Sequence, residues 1–120
     1  EDGTKMVYTK LIYALGAESF IPPIRGAGQE HVAAVRRLAD VQKICEMLPD
    51  IKSVCVIGGG VLGLEAAWEF RKSGRDVSVV EAAPGLMMRQ LDQAASDMMK
   101  EIADREKIKI YTGVQADEIL

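Results

Sequence analysis

A run of six residues, Gly58-Gly59-Gly60-Val61-Leu62-Gly63, carries the clearest chemical signal in the chain. It fits the pattern G-x-G-x-x-G, which is a weak signal by itself. Here the run follows the apolar segment 53–57 and opens a segment of helical character, and this context makes the signal strong. The free N–H groups at the start of such a helix carry a partial positive charge that attracts a pyrophosphate. The pattern therefore predicts a dinucleotide-binding turn; the alternative is an empty structural turn.

Three glycines of this run each have a mechanical reason. Gly58 allows the tight turn out of the strand, and Gly63 lets the following helix lie close to that strand. Gly60 lets the pyrophosphate approach the backbone, because no Cβ stands in the way. The candidate cofactor-binding residues of the turn are therefore Gly58, Gly60, Val61, Leu62 and Gly63.

An acidic residue stands where the second strand of such a unit should end. Glu81 follows Gly63 by 18 residues and closes the mostly apolar segment 76–80. A carboxylate there accepts hydrogen bonds from both ribose hydroxyls of an adenosine and repels a 2′-phosphate. Ala82 and Ala83 come next, so no arginine follows immediately to receive such a phosphate. These residues favour NAD(H) over NADP(H); the alternative for Glu81 is a solvated strand end.

Strands and helices must alternate around this turn to position it. We expect strands at 53–57, 76–80 and 107–112, and helices at 61–73 and 92–105. This alternation specifies a Rossmann-type α/β fold, a parallel sheet with flanking helices, present here as a partial, truncated domain. The last helix should turn one apolar face inward, formed by Leu91, Ala95, Met98, Met99 and Ile102.

Two further elements and one helix end are expected from local signals. Segment 6–15 is rich in Val, Tyr, Ile and Leu, and its second half is apolar on both faces, which is typical of a buried strand in a covered sheet. Asp40 is expected to cap a helix that Pro49-Asp50 ends. Gly74 should terminate the helix that begins after the glycine turn.

The composition is that of one soluble globular domain, with 120 residues, 48% hydrophobic and 28% charged, and a net charge of −3. Two cysteines, Cys45 and Cys55, cannot form a disulfide framework, which favours a reducing, cytoplasmic compartment. There is no basic patch for nucleic acid or anionic lipid, and no apolar run approaches the roughly 20 residues that span a bilayer. The acidic start indicates no signal peptide, and the absence of an initial methionine indicates a piece of a longer protein.

Several segments resemble one known family. Residues 54–67, 77–81 and 107–111 together resemble the NAD-binding domain of the FAD-dependent pyridine nucleotide-disulfide oxidoreductases. Segments 8–17 and 21–26 are similar to the stretch by which that family closes on the flavin and then crosses into the NAD domain. The resemblance covers nearly the whole chain, and such a chain is the middle part of an enzyme of this family.

The resemblance implies a division of the chain and a second group of site residues. Residues 1–36 are expected to be a remnant of the FAD domain with the crossover segment, and 37–120 an NAD(H)-binding Rossmann domain that is incomplete at its C-terminus. Ala14 and Gly16 are the candidate contacts on the flavin side; the family usually has a threonine between them, where this chain has Leu15. Glu65 is expected either to contact the nicotinamide carboxamide or to be a surface acid that suits the helix N-terminus.

The resemblance further implies an oxidoreductase that passes hydride from NADH to FAD and on to an electron acceptor, with the isolated piece inactive. Met88-Arg89-Gln90-Leu91-Asp92, with Ala95 and Met99, looks most like the branch of NADH-dependent rubredoxin or ferredoxin reductases and the nitrite reductase flavoprotein. Rubredoxin, ferredoxin or a nitrite reductase module is then the expected partner, and oligomerisation is left open. The alternative is a non-catalytic regulatory module that senses NAD(H) or another adenine nucleotide. Such a sensor has no reason to carry the flavin-side segment 11–26.

The remaining reactive side chains have structural interpretations. Cys45 and Cys55 are expected to be buried packing residues, and Met87, Met88, Met98 and Met99 to fill the core. His31 should lie in a loop without a cluster of ligands, so no metal site is expected. No residue is an obvious acid, base or nucleophile, and the redox chemistry of such a protein belongs to its cofactors.

Overall fold

A three-stranded parallel sheet forms the centre of the computed structural model, which describes residues 2–120. Strand β1 is Ser53–Ile57, β2 is Asp76–Glu81 and β3 is Ile108–Thr112, and they lie side by side in the order β1-β2-β3. The helices between them are α2, Val61–Lys72, and α3, Gln93–Arg105, while α1, Leu38–Met47, precedes β1. This arrangement confirms the Rossmann-type α/β fold, with bounds of the three strands and of the two connecting helices within one residue of those expected.

Two helix ends are fixed by adjacent residues: Gly74 was expected in this role, whereas Asp92 was expected to be the first residue of its helix and is its N-cap instead. Asp92 caps α3, because its Oδ1 accepts a hydrogen bond of 2.9 Å from the Ala95 N–H. Gly74 follows α2 with a φ of +85°, a left-handed conformation that glycine adopts at little cost. A short 3-10 helix, Leu48–Asp50, follows α1 and contains the proline that was expected to end it. No helix within residues 2–120 combines the length and the apolar character needed to cross a membrane.

One face of the sheet is covered and holds the core. The register aligns Val54 with Val77 and Ile108, and these side chains point toward α2 and α3. Ala67 of α2 is completely buried against this face, and Ala103 of α3 is nearly so. Small residues on both helices let them lie close to the sheet, so burial on this side is dense even in so short a chain.

The other face of the sheet is open, and the expectation that both cysteines are buried is wrong. Cys55 alternates with Val54 and Val56 along β1 and lies on the open face, where Ile57 is 44% exposed. Cys45 is also exposed, because α1 has no buried residue. The prediction of an apolar strand at 53–57 is confirmed, but only one of the two faces of β1 has a covering layer within the described residues.

The expected strand at 6–15 is absent. Residues 2–24 contain no helix or strand, and Leu11, Ile12 and Leu15 are 63%, 89% and 77% exposed. A strand exists only through hydrogen bonds to a neighbouring strand, and no described strand lies beside this segment. The segment that follows is held to residues near the C-terminus, because the Ile119 N–H donates to the Arg25 carbonyl oxygen at 2.8 Å.

The inner face of α3 also differs from the expected one. Ser96 and Ala103 are the buried residues of this helix, whereas Met98 is 64% and Ile102 48% exposed. Small side chains therefore face the sheet, and the larger ones flank them. The expectation that all four methionines fill the core is wrong for Met98, while the other three are half-buried.

Helix α1 begins three residues earlier than expected, and Asp40 is not its N-cap. Arg37 occupies the cap, and the Asp40 carboxylate lies inside the first turn. Its Oδ2 accepts the Arg37 N–H at 2.7 Å and the Arg36 N–H at 2.9 Å. The acid therefore satisfies N–H groups at the helix start from within the helix rather than from before it. These two hydrogen bonds, the one from Arg37 first, hold the pKa of the Asp40 carboxyl below its ordinary value.

We expect α1 to fray on acidification because of this lowered pKa. A carboxyl whose pKa is lower in the folded state stabilises that state above its unfolded pKa, and the stabilisation is lost as the pH falls through the lowered value. The protection factors of the amides of residues 38–47, which are corrected for the intrinsic dependence of exchange on pH, should therefore fall below about pH 4. Asp40→Asn should exchange fast already at pH 7, whereas the exposed control Asp97→Asn should leave α1 unchanged. Equal α1 protection in Asp40→Asn and the wild type at pH 7 would contradict this.

Candidate functional site

The candidate site lies at the carboxyl ends of the three strands. The glycine turn follows β1, the loop 82–91 follows β2, and residues 113–114 follow β3. Backbone hydrogen bonds join these segments: the Gly58 N–H donates to the Val80 oxygen at 2.8 Å, and the Gly113 N–H to the Ala83 oxygen at 2.8 Å. This edge of a parallel sheet is where open α/β proteins bind their ligands.

The first and last glycines of the pattern have the conformational roles expected of them. Gly58 has a φ of +116°, outside the range that other residues adopt readily. A Cβ on Gly63 would overlap the carbonyl oxygen of Gly58, so only glycine allows α2 to start this close to the end of β1. The backbone turn therefore requires glycine at both positions, independently of any ligand.

Gly60 differs from these two. It is exposed, its φ of −82° suits any residue, and a Cβ added to it would meet nothing within 4 Å. Nothing in the folded chain requires glycine at this position. The space in front of its backbone is free, as expected if a ligand approaches there.

The start of α2 presents free donors beside this space. The first backbone hydrogen bond of the helix runs from the Leu64 N–H to the Gly60 oxygen at 3.0 Å, so the N–H groups of Val61, Leu62 and Gly63 have no acceptor within the helix. Val61 and Leu62 are 43% and 74% exposed. The positive end of a 12-residue helix therefore faces accessible space, which suits an anion such as a pyrophosphate.

Gly59 is a structural residue that the sequence pattern does not identify. It is buried, and a Cβ on it would lie 2.7 Å from Leu86 Cδ2 and 3.0 Å from Glu81 Cβ. Leu86 is itself fully buried, and the neighbouring Met87 N–H donates to the Gly59 oxygen at 3.0 Å. The sequence offered one signal for this structural role: Gly59 is the middle one of three consecutive glycines, at a position where the pattern allows any residue.

Glu81 stands at the end of β2, as expected, but its carboxylate already has partners. Its Oε2 accepts the Gly59 N–H at 2.6 Å, and its Oε1 accepts the Ala83 N–H at 2.7 Å. The side chain is half-buried between the glycine turn and the loop after β2. Glu81 is therefore not a freely solvated strand end, and one of its functions is to connect two segments of the site.

The other candidate residues lie apart from this cluster. Glu65 is exposed on the second turn of α2. Ala14 and Gly16 lie in the exposed N-terminal segment, which is tied to the start of α1 through a 2.7 Å hydrogen bond from Arg36 Nε to the Ala17 oxygen. His31 is in a loop, and residues 2–120 contain no group of three or more His, Cys, Asp or Glu side chains that could hold a metal ion.

A parallel sheet with a glycine-rich turn between β1 and the helix that follows it defines a Rossmann-type domain of the dinucleotide-binding class. The family model described as pyridine nucleotide-disulphide oxidoreductase matches residues 1–120, and the chain belongs to this family. The resemblance seen in the sequence is thereby confirmed. The same family accounts for the expected cofactors, NAD(H) and, in the intact enzyme, FAD.

Relatives include a nitrite reductase and a ferredoxin reductase, two kinds of protein in the branch that the sequence suggested. The chain is 39% identical over 113 residues, 94% of its length, to a nitrite reductase [NAD(P)H] of Bacillus subtilis, and 36% identical over its whole length to an NADH oxidase of Methanocaldococcus jannaschii. A ferredoxin reductase from Rhodopseudomonas palustris matches 88% of the chain with 33% identity and a TM-score of 0.83. The chain covers only 14%, 28% and 26% of these three proteins.

We expect alanine at Gly63 to lower the stability of the chain, and alanine at Gly60 to weaken NADH binding instead. Gly63→Ala should lower the free energy of unfolding by about 1–3 kcal/mol, because the added Cβ overlaps the Gly58 oxygen. Gly60→Ala should leave stability within about 0.5 kcal/mol of the wild type but weaken NADH binding, because its Cβ occupies the space in front of the turn. Thermal unfolding and an NADH titration of both variants check this. A Gly60→Ala variant that binds NADH as the wild type does would contradict the expected approach of the ligand.

Proposed function

We propose that this chain is the NAD(H)-binding domain of an FAD-dependent oxidoreductase that takes hydride from NADH to FAD and passes the electrons to an acceptor. The observation that carries the proposal is the group of N–H donors at the start of α2 that have no acceptor within the helix. They lie next to the free space in front of the Gly60 backbone, with the Glu81 carboxylate beside it. Membership of the family supports it.

Different residues of the site bind different parts of the dinucleotide. The N–H groups of Val61 and Leu62 bind the pyrophosphate, whose charge the helix N-terminus stabilises. The Glu81 carboxylate would bind the adenosine ribose, and Glu65 would contact the carboxamide of the nicotinamide. NADH supplies the hydride and FAD accepts it when both are bound; the contribution of this chain is to bind and orient the nucleotide.

The preference for NADH follows from charge. A 2′-phosphate on the ribose would approach the Glu81 carboxylate and be repelled. The two residues that follow Glu81 are Ala82 and Ala83, which offer no cation in compensation. The site is therefore expected to favour NADH over NADPH.

The division of the chain is also a proposal. Residues 37–120 would form the NAD(H) domain, and 1–36 would belong to the FAD domain and the crossover, with Ala14 and Gly16 beside the flavin. The family match over 1–120 includes segment 11–26, which a freestanding nucleotide sensor does not need. The names of the relatives, a nitrite reductase and a ferredoxin reductase, support a redox protein or module as the electron acceptor.

Substitution of Glu81 tests the choice of cofactor. We expect Glu81→Ala to reduce the ratio of NADH affinity to NADPH affinity by about ten- to a hundredfold, the equivalent of one charge-assisted hydrogen bond. Glu81→Arg should reduce the ratio further, because its cation attracts the 2′-phosphate. The ratio is the informative quantity, because any damage to the turn affects both cofactors alike. Titrations of both variants with both nucleotides check this; a wild type that prefers NADPH, or a ratio unchanged in Glu81→Ala, would contradict the ribose contact.

The isolated chain should be colourless after purification. Residues 2–120 contain one glycine-rich phosphate turn, and the flavin-side residues Ala14 and Gly16 are exposed rather than assembled into a pocket. We therefore expect no flavin absorption band, although NADH should bind. A purified chain with flavin near one equivalent would show that the glycine turn has been assigned to the wrong cofactor.

A further inference from the structure

The hydrogen bond between Gly59 and Glu81 links the glycine turn to the residue that is expected to select the cofactor. We propose that Glu81 is a positioning residue that locks the turn in its binding conformation before the cofactor arrives and keeps this hydrogen bond after the cofactor has bound. The second half of this proposal rests on the proposed function, because it assumes that NAD(H) binds here. The first half concerns the free chain alone.

The turn is held on both sides of Gly59, because its N–H and its carbonyl oxygen each have a hydrogen-bond partner. Its N–H donates to Glu81 Oε2 at 2.6 Å, and its carbonyl oxygen accepts the Met87 N–H at 3.0 Å. Gly59 is buried, so water has little access to replace a lost partner. Removing the carboxylate leaves a buried N–H without an acceptor, and the turn must move to satisfy it.

The same carboxylate can hold the turn and a ribose together. An ionised carboxylate offers about four acceptor positions, two on each oxygen. Gly59 takes one position on Oε2 and Ala83 takes one on Oε1, so each oxygen keeps one position for a ribose hydroxyl. Binding therefore needs no exchange of partners, and the turn keeps its geometry throughout.

Neither close relative of glutamate can reproduce this arrangement. The glutamine amide has a single acceptor oxygen, and its NH₂ group would face one of the two N–H donors. Aspartate is shorter by one methylene, so its oxygens would be displaced from the positions that accept the Gly59 and Ala83 N–H groups. Substitutions made to admit NADPH would therefore loosen the turn and weaken binding of the pyrophosphate that both cofactors share.

NMR of the wild-type, cofactor-free chain tests the lock directly. A through-hydrogen-bond scalar coupling should connect the Gly59 amide nitrogen to the Glu81 carboxyl carbon, and a second should connect Ala83 to the same carbon. Both couplings should persist when the chain is saturated with NADH. Absence of the Gly59 coupling in the free chain would overturn the lock, and its loss on saturation would show that the ribose displaces the turn.

A pair of matched variants measures the strength of the lock. In the absence of nucleotide, Glu81→Gln should speed amide exchange by about tenfold or more at Gly59 or at Ala83, whichever N–H faces the NH₂ group, while Val77 and Val79 in the core stay protected. Glu69→Gln, which removes an exposed carboxylate that pairs with Lys72, should leave Gly59 unchanged. Wild-type exchange at both Gly59 and Ala83 in Glu81→Gln would overturn the proposal.

If the proposed function is wrong but the hydrogen bond is present, the same NMR experiments give a different result. A chain with the Gly59 coupling whose Gly60 and Val61 resonances do not move on addition of NADH would retain the lock but would not bind the dinucleotide.

Discussion

The close approach of α2 to the end of β1 is the constraint on which the site depends. Because a Cβ at residue 63 would overlap the Gly58 oxygen, the helix can begin this near the strand only with glycine there. This approach directs the first N–H groups of α2 toward the open space at Gly60. It also places Ala67, one turn further along, flat against the sheet. One steric contact thus sets the packing of the helix and the accessibility of its positive end.

The turn is equally dependent on the neighbouring strand. The register pairs Ile57 with Val80, so Gly58, where the chain leaves the sheet, lies beside Glu81, the last residue of β2. Glu81 then reaches the backbone of the turn, and the buried Leu86 fills the space beneath it. The site is therefore a product of two strands and the loop after the second one, rather than of the glycine pattern alone. Residues far from the pattern, such as Leu86, contribute to its shape.

Local signals were sufficient for the part of the fold around the site. The glycine turn, the Asp92 cap and Gly74 each mark an end of a helix by backbone chemistry that acts within a few residues. Other features depend on what lies next to a segment, which the sequence does not state. Segment 6–15 has the composition of a buried strand, but burial requires covering layers that residues 2–120 do not place there. The Gly59–Glu81 contact joins residues 22 apart and follows only once the strand register is known.

The position of β1 at the border of the sheet has a geometric consequence. In doubly wound folds a crevice opens where neighbouring strands have their connections on opposite sides of the sheet, and ligands bind in that crevice. Here α2 and α3 both lie on one side, and β1 carries the glycine turn with β2 as its one strand neighbour among the described residues. A strand added beside β1 whose connection crosses the opposite, open face would create such a crevice at the turn. The three strands thus supply one wall of a cleft, and Cys55 and Ile57 mark the surface over which the second wall would be built.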